Sequence, residues 1–164
     1  MAFFKVEHGE PVVVTLSSGT EIDGLFSGAG PEGVLLDTGD PPLLVTGLSF
    51  IDMDSVERVT YKDLDQLMFS RNMSFTRCDM RPEEITLAAT LRLLYQAQVV
   101  CSIRTTELYY GQVCAIERDC VVTQWLNPSG LRVGFREELL ENILAVQWGH
   151  WMHVQLTRSL SNES

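Results

Sequence analysis

The chain has 164 residues, enough for one domain of ordinary size or two small ones around a shared core. Its 45 % apolar and 21 % charged content is that of a folded globular protein, and no apolar run approaches the roughly 20 residues that cross a bilayer as a helix. Twelve Lys and Arg against 22 Asp and Glu leave a net charge of −10, which repels phosphate backbones at long range.

The opening "MAFFKVEHGEP" has one Lys and no small-residue cleavage pattern, so no signal peptide is expected and the expected location is the cytoplasm. Val12, Val14 and Leu16 then alternate with Val13 and Thr15, the period of two of a strand. "SSG" turns the chain, and Gly19 is placed to supply the positive φ of a tight hairpin. Ile22 to Phe26 is the second strand. A glycine inside it, Gly24, marks a bend or a close backbone approach. Gly33 to Asp37 is the third strand, "TGDPPLL" connects to a fourth at Leu43 to Gly47, and Val56 to Tyr61 is a short fifth.

Lys62 to Tyr95 reads as helical linker. Leu64, Leu67 and Met68 predict a short helix over Asp63 to Arg71, and "NMSFTRCDM" predicts a loop. Pro82 suits a first helical turn, Glu83 and Glu84 suit the positive end of the helix dipole, and Ile85, Ala88, Ala89, Leu91 and Leu94 fall near one face.

The strand pattern then repeats. "PVVVTLSSGTEIDGLFSG" from Pro11 lies over "QVVCSIRTTELYYGQVCA" from Gln98 at an offset of 87 residues, without a gap. Gly24 meets Gly111, Val34 meets Val121, Pro41 meets Pro128, Gly47 meets Gly134 and Val59 meets Val146. Cys101 falls on a Val position and is expected in the core. "RTT" replaces "SSG", so the second hairpin must turn differently. Tyr109 to Val113, Cys120 to Trp125, Leu131 to Phe135 and Ile143 to Trp148 complete the second set. Gly24 and Gly111 are read as structural glycines at the bend that lets a small barrel close.

A helix followed by a five-stranded unit with "G-x-x-x-x-G" across its first hairpin resembles the Sm/Hfq superfamily of SH3-like small barrels. "VVVTLSSGTEIDGLF" and "VVCSIRTTELYYGQVCAIERDCVV" carry that resemblance. It implies a mainly β fold of two tandem five-stranded Sm/SH3-like barrels with a helical linker. The units are 1–62, 63–95 (linker with the second barrel's N-terminal helix) and 96–164. It also implies assembly, because such barrels pair the fifth strand of one unit with the fourth of the next. The family's uridine-reading Asp and Asn do not carry over. Their positions hold Gly30 and Val34 in the first half, Glu117 and Val121 in the second, and the late basic position is acidic through Asp52, Asp54, Glu137, Glu138 and Glu141.

Catalytic, metal and cofactor signals are thin. Cys78, Cys101, Cys114 and Cys120 form no C-x-x-C pair, and no His adjoins a thiol in sequence. "WGHWMHV" gathers Trp148, His150, Trp151 and His153, and reads first as packing and second as a contact surface. Of Tyr109 and Tyr110, alternation turns one inward and one outward. Tyr109, Tyr110, Trp148, His150 and Trp151 are the candidate interaction surface. The polar tail "LTRSLSNES" is expected to fray. The expected function is a non-catalytic assembly or adaptor module that meets a protein partner or itself through barrel edge strands, with no cofactor and no membrane. The alternative is RNA binding through a non-standard surface, which the net charge disfavours.

Overall fold

The computed structural model of the chain describes residues 6–37, 47–61, 80–149 and 151–162. Ten antiparallel strands form one sheet: β1 (Pro11–Leu16), β2 (Glu21–Ala29), β3 (Gly33–Asp37), β4 (Leu48–Asp52), β5 (Val56–Tyr61), β6 (Val100–Arg104), β7 (Leu108–Ile116), β8 (Cys120–Leu126), β9 (Arg132–Leu139) and β10 (Ala145–Trp148). Two helices, α1 (Leu87–Ala97) and α2 (Trp151–Asn162), complete the described elements. The strand order is β5-β1-β2-β3-β4-β10-β6-β7-β8-β9. The expectation of two separately closed barrels is therefore met only at the coarser level of a mainly β chain. The hydrogen-bonded sheet is continuous and open among the described residues, with β5 and β9 as its edges.

Each half has the same internal order, fifth-first-second-third-fourth. The registers also repeat at the 87-residue offset. Phe26 faces Leu36 as Val113 faces Thr123, and Gly33 faces Asp52 as Cys120 faces Leu139. Both second strands bulge at the same place, at Ser27 and at Cys114. A bulge bends a strand and increases its twist, so its repetition gives both halves the same curl. The 3-10 turns Met53–Ser55 and Leu140–Asn142 also coincide at that offset.

One difference breaks the gapless alignment. Val14 faces Ile22, eight residues on, whereas Ile103 faces Tyr109, six residues on. The second hairpin is two residues shorter, so β6 corresponds to β1 at an offset of 89. A shift of two preserves which face is buried. The expected change of turn is present: Gly19, at φ 89°, turns the first hairpin, and Thr105 to Glu107 closes the second.

Two core clusters follow the two halves, and the first also takes in Ala145 and Leu144 of the second half. Val12, Val14, Leu16, Ile22, Phe26, Val34, Leu36, Ile51 and Met53 meet in one cluster. Cys101, Ile103, Tyr109, Val113, Val121, Ile143 and Val146 meet in the other, with Leu91 and Leu94 of α1. Cys101 is fully buried opposite Gly111, so its expected core position holds.

Several boundaries move. The fourth strand of the first half is Leu48–Asp52, and Leu43 to Gly47 falls outside the described strands, with 43–46 outside the described residues. The predicted helix over Asp63 to Arg71 and nearly all of "NMSFTRCDM" also lie outside the described residues. Pro82 to Glu84 is a separate 3-10 turn rather than the start of α1. Thr86 caps α1 instead, its Oγ1 accepting a bond from the Ala89 amide at 3.1 Å. The core-facing stripe of α1 is accordingly half-buried Leu87 with buried Thr90, Leu91 and Leu94, spaced i, i+3, i+4, i+7, and Ala88 is exposed. The tail does not fray at Leu156: α2 runs to Asn162, and Leu156 and Leu160 are buried against Val100 and Leu126.

Candidate functional site

The two halves meet at a strand-to-strand joint. The fourth strand of the first half, β4, pairs with the fifth strand of the second, β10. Ile51 faces Ala145, Phe50 faces Val146, Ser49 faces Gln147 and Leu48 faces Trp148. The Gln147 side-chain amide donates to Ser49 Oγ at 2.9 Å, and the Asp52 amide to the Leu144 carbonyl at 2.9 Å. The linker covers the joint. Ile85 packs with Leu35 and Phe50, and Leu87 and Trp148 close over them.

The same kinds of strand stand at the two free edges. β9 is the fourth strand of the second half, and β5 is the fifth strand of the first. Among the described residues β9 pairs only with β8, and β5 only with β1. Unpaired edges offer rows of backbone donors and acceptors, and natural sheets usually blunt them. These edges carry exposed aromatics: Phe135 on β9 is 73 % exposed and Tyr61 on β5 is 63 % exposed. Val133 and Leu139 continue the apolar exposure along β9, and Leu131 stands exposed just before it. Exposed apolar side chains along an unpaired edge mark an interaction site. Sequence reading placed the fourth strand of the second half near Phe135 but did not single out Phe135 or Tyr61, because the strand order that makes them edge residues is not written in the spacing.

Of the predicted surface residues, none forms that edge. Tyr109 is core, with Arg136 stacked over its ring at 4.0 Å. Burial, then the nearby Glu138 charge, pushes its hydroxyl up to about 12. Arg136 in turn bonds Glu107 and lies 3.8 Å from Glu138. Tyr110 lies half-buried on the opposite face beneath α2, its ring 5.7 Å from that of His153. Trp148 is half-buried in the joint. His150 and the Trp151 side chain lie outside the described residues. Gly24 and Gly111 lie opposite Val12 and Cys101 of the first strand of each half, while the bulge that breaks the register lies three residues on, at Ser27 and Cys114; a Cβ on Gly111 would stand 2.9 Å from the Gln124 carbonyl.

Among the described residues, clefts and a donor cluster accompany the sheet. A cleft of about 310 Å³ lies between α2 and the joint, lined by Val99, Val100, Trp148, His153, Val154 and Thr157. His153 is buried there, its Nε2 3.1 Å from Ser102 Oγ, which gives it a packing role. A cleft of about 400 Å³ lies at the β6–β7 hairpin between Thr106, Arg136, Glu138 and Asn142. Cys120, Glu117 and Glu137 bring three donor atoms within 4.8 Å of one another, enough to hold a divalent ion of intermediate softness. The Cys120 sulfur lies 3.3 Å from Glu137 and 3.4 Å from Glu117. Hydrogen bonding to Glu137, then burial, pushes the thiol up to about 12, so it rests as a neutral donor rather than as a nucleophile. Glu137 and Glu138 lie on strand β9.

No described helix is long and apolar enough to cross a membrane. The chain matches no protein-family model, no curated protein and no solved structure.

Proposed function

We propose that the chain is a non-catalytic assembly module: two small barrels of the Sm/SH3-like kind, fused in tandem, that dock proteins through the free strand edges β9 and β5. The observation that carries this reading is the β4–β10 joint. There the chain already uses a fourth-strand edge and a fifth-strand edge as an interface, and among the described residues one further edge of each kind stays open. The repeated registers and the two core clusters support the tandem description, the open β-sheet being two curled five-stranded units zipped edge to edge.

RNA binding is the weaker reading. The β7–β8 turn, where the resemblance would seat a base, carries Glu117 and Asp119, and Glu137 stands beside it. Carboxylates there raise the cost of a phosphate.

Capture of bound protein by the full chain, beside variants Phe135→Glu and Tyr61→Glu, tests the proposal. Edge docking predicts bound protein that at least one edge variant releases, and no affinity for uridine- or adenine-rich oligonucleotides at low salt. Capture unchanged by every edge variant overturns it.

A further inference from the structure

We infer that the cleft between α2 and the joint binds a medium-chain fatty acid, its tail against Val99, Trp148 and Val154 and its carboxylate on Arg158. The cleft lies over β10 and β6, in the middle of the strand order, so it stands whether or not the free edges dock protein.

The cleft follows from how α2 packs. Leu156 and Leu160 meet Val100 and Leu126, and His153 Nε2 lies 3.1 Å from Ser102 Oγ. These contacts hold the helix on β6. Val154 and Arg158 are spaced i, i+4 and so share one stripe beside that buried face. Between this stripe and Val99, Val100 and Trp148, about 310 Å³ stays open. A packed interior leaves few voids larger than a water molecule, whose share of liquid volume is about 30 Å³. An opening of this size falls at the lower end of small-ligand sites, about 300–1,000 Å³.

The lining selects the ligand. Its polar groups already bond one another: Thr157 Oγ1 donates to the His153 carbonyl at 2.8 Å and accepts from the Val100 amide at 2.9 Å. Water in the cleft finds few partners there, whereas an alkyl chain covers Val99, Trp148 and Val154. The charge at the cleft is positive. The chain carries 22 acidic residues against 12 basic ones, but among the described residues no carboxylate lines the cleft. Arg158 is the one charged residue of α2, is exposed, and forms no ion pair among the described residues. A guanidinium receives a carboxylate through two parallel N–H donors. Its stem covers apolar surface while its head stays in water, which sets the carboxylate at the mouth and the tail inward. From His153 to Arg158 the helix rises about 7.5 Å, which suits a chain of medium length better than a long one.

Calorimetric titration of octanoate into the full chain, beside octyltrimethylammonium and acetate, tests the assignment. Octanoate is expected to bind about tenfold more tightly than either, because it alone supplies both the tail and the anion. Arg158→Gln is expected to weaken octanoate about fivefold and to leave octanol binding unchanged. Val154→Trp, which fills the cleft, is expected to remove both. Nuclear Overhauser contacts from the octanoate methyl are expected at the Trp148 ring and the Val154 methyls. Absent octanoate binding, equal binding of octyltrimethylammonium, or contacts to Phe135 in place of Trp148 overturns the site. Octanoate affinity unchanged by Arg158→Gln overturns the carboxylate's placement, and because Arg158 is exposed that variant stays readable if Val154→Trp fails to fold.

Discussion

Gly33 lies directly beneath the ring of Phe50: a Cβ added to it would stand 2.2 Å from Phe50 Cε2. The glycine makes room for the aromatic that seals the joint between halves. Gly33→Ala therefore forces the ring or the strand to move, an overpacking that costs about 1–3 kcal/mol. Urea unfolding is expected to show a lowered midpoint, and Phe50→Leu in the same chain is expected to recover part of the loss.

At β9 the corresponding residues are Cys120 and Glu137, which touch at 3.3 Å. The double substitution Cys120→Gly with Glu137→Phe copies the internal joint's pair onto the free edge. It removes a carboxylate from the docking strand and adds an apolar ring. Docking of the captured partner at this edge, read as its dissociation constant, is expected to tighten by about tenfold, the equivalent of about 1.4 kcal/mol. Glu137→Phe alone is expected to do less, because Cys120 keeps the space that Gly33 leaves open.

The thiols predict an alkaline limit. Burial pushes Cys101 from its ordinary 9.0 up to about 12, and Glu137 with burial does the same for Cys120. In the unfolded chain both ionise near 9, so between about pH 9 and pH 12 the unfolded state binds fewer protons than the folded one. Stability contributed by the neutral thiols is full below pH 9 and falls as pH rises through that window. Unfolding midpoints measured from pH 7 to pH 11 are expected to decline above pH 9. Glu137→Gln is expected to lower the Cys120 value and to speed its alkylation at pH 8.

Leu91 is fully buried in the core of the second half, on the stripe that α1 presents to β7 and its neighbours. Leu91→Ala is expected to cost about 2–5 kcal/mol through lost burial and a residual cavity. Leu93, 51 % exposed on the other side of the same helix, is expected to tolerate Ala within about 0.5 kcal/mol. Thermal unfolding of the two variants side by side checks the direction of the helix.

The repeat was legible because it is written in apolar spacing. Val34 and Val121, Val59 and Val146, and the paired glycines fixed the second, third and fifth strands. The first strand misled by two residues, since a hairpin shortened by two keeps the alternation intact and leaves no trace in the pattern. The start of α1 was hidden for a similar reason. Pro82, Glu83 and Glu84 carry every sign of a helix entrance but close a 3-10 turn, and Thr86 is the cap. Tyr110 looked like a surface aromatic because the tail that covers it is polar overall, and only the spacing of His153, Leu156 and Leu160 marks it as helical. The free edges could not be read at all before the strand order was known. Phe135 and Tyr61 are conspicuous only once β9 and β5 are seen to be the outermost strands.

Backbone hydrogen exchange with and without the captured partner protein tests edge docking most directly. Docking predicts that peptides spanning β5 or β9 gain protection when the partner is added, while β4 and β10 stay protected throughout. Phe135→Glu combined with Tyr61→Glu is expected to abolish the gain. Exchange at β5 and β9 that is the same with and without the partner would contradict it.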